Sequence, residues 1–288
     1  MKSYTDGNNY IIEDPQDFIL SQILECGQCF NFVRTDIEEY DIIAFGRVLH
    51  VRQSDGRVIF YDTDEKTYRE IWSRYFDMEN DYKSIKNNLL LADDKLYQPI
   101  MDKSGIRLLN QDFFETLISF IISQNKQIPQ IKQIIRNISH KFGNEIIGYN
   151  GAAYYSFPDA HTLNQVTEEE LRACKVGFRA PYIKDACRKV SDGVITVEKL
   201  NEMDFYEARK LLMSIRGVGE KVSNCVLLFS LGRREAFPVD VWMKRIMERL
   251  YFEGKDTKKE AIEAFAMEKF GKYGGYAQQY LFEYARNI

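Results

Sequence analysis

The chain has 288 residues, of which 45% are hydrophobic and 28% are charged, a balance typical of a folded globular protein rather than a disordered chain. No stretch approaches eighteen uninterrupted apolar residues, and the first residues lack the apolar core of a signal peptide, so we expect neither a membrane span nor secretion. The five cysteines are an odd and scattered set, which fits an intracellular, reducing environment.

The net charge of −4 is divided unevenly along the chain. Residues 1–100 carry 11 Lys/Arg and 19 Asp/Glu, whereas residues 101–288 carry 28 and 24. Within residues 171–190 there are six basic residues and one acidic residue. Such a run is more often a solvated helix face, but in this half of the chain it also fits a surface that binds phosphate groups.

Local patterns predict a sheet followed by helices. Residues 40–63 read as β structure, because alternating apolar runs flank an Asp55-Gly56 turn. A wide apolar stripe over residues 113–122 predicts a helix with Asn110 as its N-cap, and Pro129 fits the start of the next helix. Further helices are predicted over residues 66–76, 79–90, 168–174, 181–192, 205–214, 220–231, 240–252, 256–270 and 274–286.

These patterns predict an α+β fold in two parts. Residues 1–97 are expected to form an antiparallel sheet domain with flanking helices. Residues 98–288 are expected to form an all-helical body, which contains two helices joined by a tight hairpin at about residues 205–231. We find no internal repeat, low-complexity tract or long linker.

The hairpin carries the strongest chemical signal. Gly217 and Gly219 break the helical pattern, and a second helix starts at once with Lys221 in its first turn. Backbone N–H groups of a glycine hairpin can hold a phosphate, a neighbouring lysine can act as an amine nucleophile, and a carboxylate can stabilise a developing positive charge. Asp240 supplies that carboxylate nineteen residues after the lysine. Taken singly, Lys221 is more simply a surface charge and Asp240 a helix cap, but together they indicate attack on a sugar carbon in nucleic acid.

This segment, with Pro238-Val-Asp240, resembles the helix-hairpin-helix-GPD superfamily of base excision DNA glycosylases. The resemblance implies that Lys221 attacks C1′ of the deoxyribose, expels the base, becomes a Schiff base and permits β-elimination. Asp240 is implied to stabilise the sugar cation and to help with proton transfer. The hairpin residues implied to bind the DNA backbone are Gly217, Val218 and Gly219.

Two further motifs resemble 8-oxoguanine DNA glycosylases in particular: Cys26-Gly-Gln-Cys-Phe30 and Tyr276-Ala-Gln-Gln-Tyr-Leu-Phe282. The resemblance implies that the Gly27 carbonyl accepts a hydrogen bond from N7–H, which guanine lacks, and that Phe282 stacks on the flipped base. Without the resemblance, these residues read as a turn glycine and part of an amphipathic terminal helix. The residues implied to recognise the base are Gly27, Cys225, Pro238, Gln278 and Phe282.

A third group is implied to hold the distorted duplex. Asn125 would fill the gap left by the extruded nucleotide, Phe178 would wedge into the base stack and Arg179 would contact the orphaned cytosine. Trp242 stands where eukaryotic members place a histidine near a phosphate. Gln130 stands where they carry an arginine to the opposite cytosine, so the preference for cytosine stays open.

The implied protein is a bifunctional DNA glycosylase and AP lyase, acting as a monomer on double-stranded DNA that contains 8-oxoguanine. The resemblance implies no required cofactor and no catalytic metal, although the hairpin carbonyls can hold a structural cation. One alternative is an endonuclease III-like glycosylase for other oxidised bases, but such enzymes usually end in a four-cysteine iron–sulfur motif and no cysteine follows Cys225. The other is a non-catalytic hairpin module that binds DNA backbone and needs neither Lys221 nor Asp240. We interpret the Cys26–Cys29 spacing as coincidence, because no second cysteine pair exists.

Overall fold

The N-terminal part of the chain is a six-stranded antiparallel sheet. The computed structural model describes residues 2–286. The spatial order of the strands is β1-β2-β6-β5-β4-β3. The strands are β1 (Lys2–Asp6), β2 (Asn9–Glu13), β3 (Phe32–Asp36), β4 (Glu39–Ala44), β5 (Arg47–Ser54) and β6 (Arg57–Phe60). The predicted Asp55-Gly56 turn is confirmed: it joins β5 to β6, and both residues take positive φ angles. Three strands lie outside the predicted residues 40–63.

Sixteen α-helical segments are found in residues 2–286. They are α1 (Leu20–Leu24), α2 (Glu65–Thr67), α3 (Ser73–Tyr75), α4 (Tyr82–Ala92), α5 (Tyr97–Asp102), α6 (Phe113–Ser123), α7 (Ile128–Phe142), α8 (Ala160–Gln165), α9 (Glu168–Ala173), α10 (Ala180–Ser191), α11 (Val197–Glu202), α12 (Phe205–Met213), α13 (Glu220–Phe229), α14 (Val241–Tyr251), α15 (Lys259–Phe270) and α16 (Gly274–Arg286). A π-helical turn at Tyr68–Trp72 joins α2 to α3. All helices predicted from residue 113 onward are present, with ends shifted by at most a few residues, and none in the described part is long and apolar enough to cross a membrane.

The prediction that the body is all-helical is wrong in one place. Strands β7 (Glu145–Ile147) and β8 (Ala153–Tyr155) form an antiparallel hairpin after α7. The hairpin docks on the N-terminal sheet, where the Tyr154 hydroxyl donates to Asp41 and the Tyr149 ring stacks on His50 with 5.1 Å between ring centroids. Three-residue strands are too short to produce a recognisable alternation, because tertiary docking rather than local pattern stabilises them.

The predicted N-cap Asn110 is also wrong. Helix α6 begins at Phe113, and its N-cap is Asp112, whose side chain accepts the Glu115 N–H at 2.9 Å. The Asn110 side chain donates instead to the Arg74 carbonyl at 2.7 Å. Asn and Asp are both favourable N-cap residues, so local sequence does not distinguish Asn110 from Asp112. Tertiary contacts decide which of the two caps the helix.

Two apolar cores lie side by side. The larger one fills the helical body, and the smaller one lies under the N-terminal sheet around Trp72. Helix α4, which precedes the predicted boundary at residue 97, buries its apolar face in the larger core. Cys26 and Phe30 belong to that core as well, although they precede β3. The N-terminal segment therefore crosses from the sheet into the helical body and back.

Arg107 anchors the loops between these parts. Its guanidinium is buried and donates to the carbonyls of Phe76 at 3.1 Å, Asp77 at 2.8 Å and Asn80 at 3.0 Å. A fourth bond reaches the Gln16 carbonyl at 3.2 Å. These loop carbonyls lie outside any helix or sheet, so no regular secondary structure supplies their hydrogen-bond donors. The Arg107 side chain supplies them instead.

We expect Arg107→Met to lower the free energy of unfolding by about 2–4 kcal/mol, because several buried carbonyls lose their donor. Urea denaturation measures the change. The matched control is Arg47→Met at an exposed position of β5, for which the expected change is within about 0.5 kcal/mol. Equal stability of the two variants would contradict the anchoring role.

Candidate active site

A cleft of about 420 Å³ collects residues from distant parts of the chain. Its walls come from the turn before β3, the α6–α7 connection, α13, the segment before α14, and α16. Eight of the predicted functional residues line it, namely Gly27, Lys221, Cys225, Pro238, Asp240, Trp242, Gln278 and Phe282. Both predicted catalytic residues and all five predicted base-recognition residues therefore face the same space.

The amine of Lys221 is held at the start of α13. Gly219 is the N-cap of this helix, so the lysine lies in the first turn, as predicted. Its Nζ donates to Ser123 Oγ at 3.0 Å and lies 5.0 Å from the centroid of the Phe120 ring. The Ser123 hydroxyl in turn donates to the Phe120 carbonyl at 2.8 Å, which leaves an oxygen lone pair for the amine. Ser123 lies two residues before Asn125, but nothing in the sequence indicated this contact.

Asp240 is the N-cap of α14, as predicted. Its Oδ1 accepts the Met243 N–H at 2.7 Å. This bond fixes the carboxylate at the first turn of the helix. A carboxylate fixed in this way has one oxygen committed to the helix and can present the other to a cationic group in the cleft.

Cys225 lies four residues after Lys221 on the same face of α13, as predicted. Burial raises the pKa of the Cys225 thiol to about 11, the neighbouring Lys221 opposes that rise, and Asp240 adds to it. The thiol is therefore protonated at neutral pH. It can pack against a ligand or donate an S–H bond, but it is not a thiolate nucleophile.

The far side of the cleft is tightly packed around Gly27 and contains a buried amide at Gln278. Gly27 has φ +80°, and a Cβ there would lie 3.3 Å from Ile128 Cδ1 and 3.4 Å from Phe282 Cε1. A larger residue would intrude into the space between these side chains. Gln278 is 5% exposed, and its Oε1 has no hydrogen-bond partner in the described residues. A buried amide oxygen without a donor is costly, so the site is prepared for a ligand that brings one.

Two glutamines that the sequence reasoning left without a role build this pocket. Gln279 Nε2 donates to the Cys26 carbonyl at 2.9 Å, which fixes α16 against the turn that contains Gly27. Gln28 is completely buried; its Nε2 donates to the Arg107 carbonyl at 2.8 Å, and its Oε1 accepts the Leu109 N–H at 2.9 Å. In the sequence, only their position inside the Cys26–Phe30 and Tyr276–Phe282 motifs indicated that these two glutamines contribute to the site.

The buried cysteines of the Cys26–Cys29 pair carry no reactive thiolate. Burial raises the pKa of Cys26 to about 12 and that of Cys29 further still. Their side chains lie in different apolar cores, Cys26 in that of the helical body and Cys29 in that of the sheet. Within residues 2–286, no cluster of three or more His, Cys, Asp or Glu side chains is arranged to hold a metal ion.

The residues predicted to hold the duplex lie outside the cleft lining, except Trp242. Asn125 is exposed in the turn between α6 and α7 with φ +53°, and Phe178 is 53% exposed. Arg179 differs, because only 2% of it is exposed. Its guanidinium donates to the Val176 carbonyl at 3.1 Å and to the Gln124 carbonyl, so it supports the turn that carries Asn125. Contact between Arg179 and an orphaned base remains a prediction, and it requires the buried guanidinium to become accessible.

The hairpin has the geometry expected of a phosphate-binding turn. Gly217 has φ +76°, and a Cβ there would collide with the Tyr182 ring at 2.3 Å. Val218 is buried and its N–H bonds to the Ile215 carbonyl at 3.0 Å. The N–H groups of Gly217 and Gly219 have no hydrogen-bond acceptor within residues 2–286, so they are available to an anion.

Most of the basic run at residues 171–190 is engaged in contacts within the protein rather than forming a purely solvated helix face, and its binding of phosphate groups stays a prediction. Five of its six basic side chains bond to protein groups. Arg188 pairs with Asp185 at 2.8 Å, and Lys189 donates to the Ser214 carbonyl of the hairpin. A hairpin carbonyl that already accepts an ammonium is less available to a metal ion, and the predicted hairpin cation stays a prediction.

Two positions depart from the eukaryotic pattern. Gln130 is exposed, and its Oε1 accepts the Gln127 N–H at 3.2 Å, which caps α7. Trp242 is half exposed at the edge of the cleft, with the Arg245 guanidinium 5.6 Å from the centroid of its ring. The first residue is engaged in a helix cap, and the second places an indole ring where eukaryotic members are implied to carry a histidine.

Comparisons with known proteins agree with this geometry. A family model described as "8-oxoguanine DNA glycosylase, N-terminal domain" matches residues 10–117, and one described as "HhH-GPD superfamily base excision DNA repair protein" matches residues 118–272. A probable N-glycosylase/DNA lyase of Methanothermobacter thermautotrophicus is 34% identical over 79% of this chain and 78% of its own length. The N-glycosylase/DNA lyase of Saccharomyces cerevisiae is 33% identical over 92% of this chain and 83% of its own length.

A solved structure extends the agreement to the whole fold. The 8-oxoguanine glycosylase/lyase of Clostridium acetobutylicum, crystallised with double-stranded DNA that contains cytosine opposite 8-oxoG, superposes with a TM-score of 0.95. It is 39% identical, and the match covers 100% of this chain and 99% of that one. With the lysine, the carboxylate and the glycine hairpin in their expected places, the chain belongs to the HhH-GPD superfamily of base excision DNA repair proteins, within its family of N-glycosylase/DNA lyases.

Proposed function

We propose that the protein is a bifunctional DNA glycosylase that excises 8-oxoguanine from duplex DNA and then cleaves the strand at the abasic site. The observation that carries this proposal is the common cleft, in which Lys221 and Asp240 stand beside a pocket bounded by Gly27, Gln278 and Phe282. The amine and the carboxylate supply the chemistry, and the pocket supplies the choice of base.

The first step is base release. The neutral amine of Lys221 forms a bond to C1′, the C1′–N9 bond breaks, and its electron pair and a proton leave with the base. The Asp240 carboxylate stabilises the positive charge that develops on the sugar. Ring opening then gives a Schiff base between Lys221 and C1′, which makes the C2′ proton acidic. Loss of that proton breaks the C3′–O bond and releases the 3′ phosphate.

Selection of the base depends on one proton. In 8-oxoguanine N7 carries a hydrogen that the Gly27 carbonyl can accept, whereas guanine would place an acceptor against an acceptor. A buried mismatch of this kind costs on the order of 1–3 kcal/mol. The Gln278 amide bonds to the Watson–Crick edge, and the Phe282 ring stacks on the base after it has left the helix.

Duplex DNA is the macromolecular partner, and the protein acts on it as a monomer inside the cell. The hairpin N–H groups of Gly217 and Gly219 hold a backbone phosphate, Phe178 wedges into the stack, and Asn125 fills the space of the extruded nucleotide. No cofactor takes part in the proposed steps.

Reduction with borohydride tests the covalent step. We expect the wild type to form a stable adduct with a duplex that contains 8-oxoguanine, and Lys221→Gln to form none. Asp240→Asn should excise about 10²–10³ times more slowly, because the developing charge loses its counter-ion. Lys126→Gln is the matched control, since this lysine lines the same cleft and is not expected to react. An undiminished adduct with Lys221→Gln would remove the proposal.

The contact between Ser123 and Lys221 gives a second expectation. Ser123→Ala removes the acceptor that aims the amine, so we expect single-turnover excision to slow about tenfold. Ser123→Thr keeps a hydroxyl and should recover most of the rate. Affinity for unmodified duplex should be the same in all three proteins. A Ser123→Ala variant as fast as the wild type would show that the hydroxyl has no positioning role.

Stacking by Phe282 is tested separately from DNA binding. Phe282→Ala should slow excision of 8-oxoguanine about 10- to 100-fold, since base–aromatic stacking contributes about 1–3 kcal/mol. Affinity for undamaged duplex should be nearly unchanged, because the ring lies in the cleft and not at the hairpin. An equal loss of excision and of undamaged-DNA affinity would argue against the stacking role.

A further inference from the structure

A second cavity lies behind the catalytic cleft. Its volume is about 220 Å³, and its walls come from β3, β4, α7 and the β7–β8 hairpin. Phe30 is the one residue that lines both spaces. None of the functions described above uses this cavity.

Two cations line this cavity, and no carboxylate is part of the lining. Lys132 and Arg136 are one turn apart on α7, and both line the cavity. The Lys132 amine is partly buried, 3.4 Å from the centroid of the Phe32 ring. Neither side chain forms an ion pair or a hydrogen bond within residues 2–286. Burial lowers the pKa of Lys132, and the charge of Arg136 adds to that effect, while Cys29 and Glu25 oppose it.

The rest of the cavity lining adds no negative charge to balance these two cations. It contains no Asp or Glu. Ser139, one turn beyond Arg136, is 3% exposed, and its hydroxyl has no partner in the described residues. His140 lines the same wall. Like charges at this spacing on a helix repel each other, and a buried hydroxyl without a hydrogen-bond partner lowers stability. A ligand that accepts hydrogen bonds and carries negative charge would relieve both costs.

We propose that this cavity binds a compact oxyanion of the phosphate class between Lys132 and Arg136. The amine supplies a point charge, and the guanidinium supplies a planar pair of donors, the combination that phosphate oxygens favour. A volume of about 220 Å³ corresponds to roughly seven water molecules, which is enough for a phosphate group and part of its hydration shell. The apolar groups of Phe32, Ile43 and Tyr154 form part of the wall and lower the local polarity around the two charges.

The phosphate can belong to the free ion, to a nucleotide or to the DNA backbone, and these sources share the same chemistry. Isothermal titration with sodium phosphate, and separately with thymidine 5′-monophosphate, tests the first two at an ionic strength held constant with sodium chloride. Because the hairpin glycines can also bind phosphate, the decisive quantity is the difference between the wild type and the variants.

We expect Lys132→Met and Arg136→Gln each to weaken this binding about tenfold or more, the effect of losing one charge-assisted hydrogen bond. Lys141→Met is the matched control on the same helix, outside the cavity lining, and should bind as the wild type does. Arg136 is exposed, so its variant remains informative even where Lys132→Met is poorly stable.

The third source, the DNA backbone, is tested by measuring how the affinity for undamaged duplex depends on salt concentration. If a backbone phosphate is the ligand, the slope of log affinity against log salt decreases by about one in each of the two variants. If the ligand is a small phosphate, that slope is unchanged while phosphate or nucleotide binding is lost. Phosphate, nucleotide and duplex binding that are all identical in the wild type, Lys132→Met and Arg136→Gln would overturn the proposal.

Discussion

The rest of the site depends on the position of one amine at the entrance of a helix. Glycine at position 219 ends the hairpin and lets α13 start at once, so Lys221 emerges beside the hairpin turn. The bond from its Nζ to Ser123 Oγ then aims it across the cleft, with the thiol of Cys225 one turn further along. A nucleophile that is free to rotate would lose the benefit of orientation, which accounts for a large part of the rate in reactions of this type.

The base pocket depends on a different constraint, the packing of a segment near the N-terminus against the last described helix. Its floor comes from a turn near the N-terminus and its wall from the last described helix, joined by the hydrogen bond from Gln279 to the Cys26 carbonyl across 253 residues. Gln28 and Arg107 tie the same turn to the loops of the sheet domain. The sheet thus acts as a frame that holds Gly27 opposite Phe282.

Local spacing in the sequence predicted the parts of this site that lie on one helix. Cys225 follows Lys221 by four residues, which places both on one face of α13, and Asp240 precedes an apolar helical pattern, which makes it a cap. Long-range contacts could not be predicted in the same way. Ser123 is 98 residues from Lys221, and no local pattern encodes their meeting.

The errors have equally local causes. The β7–β8 strands are three residues each and owe their form to docking of Tyr149 and Tyr154 on the sheet. A count of charges in the basic run does not reveal their partners, although the three-residue spacing of Asp185 and Arg188 was visible in the sequence. The resemblance to known glycosylases adds what spacing alone lacks, a reason to connect separate motifs to one reaction.

The central claim is that the covalent intermediate forms on Lys221 and on no other amine of the cleft. Peptide mass mapping of the borohydride-reduced adduct made by the wild-type protein tests this directly. The account predicts that the deoxyribose remnant is attached to the peptide that contains Lys221. Attachment at Lys126, which lines the same cleft, or at the N-terminal amine would contradict it.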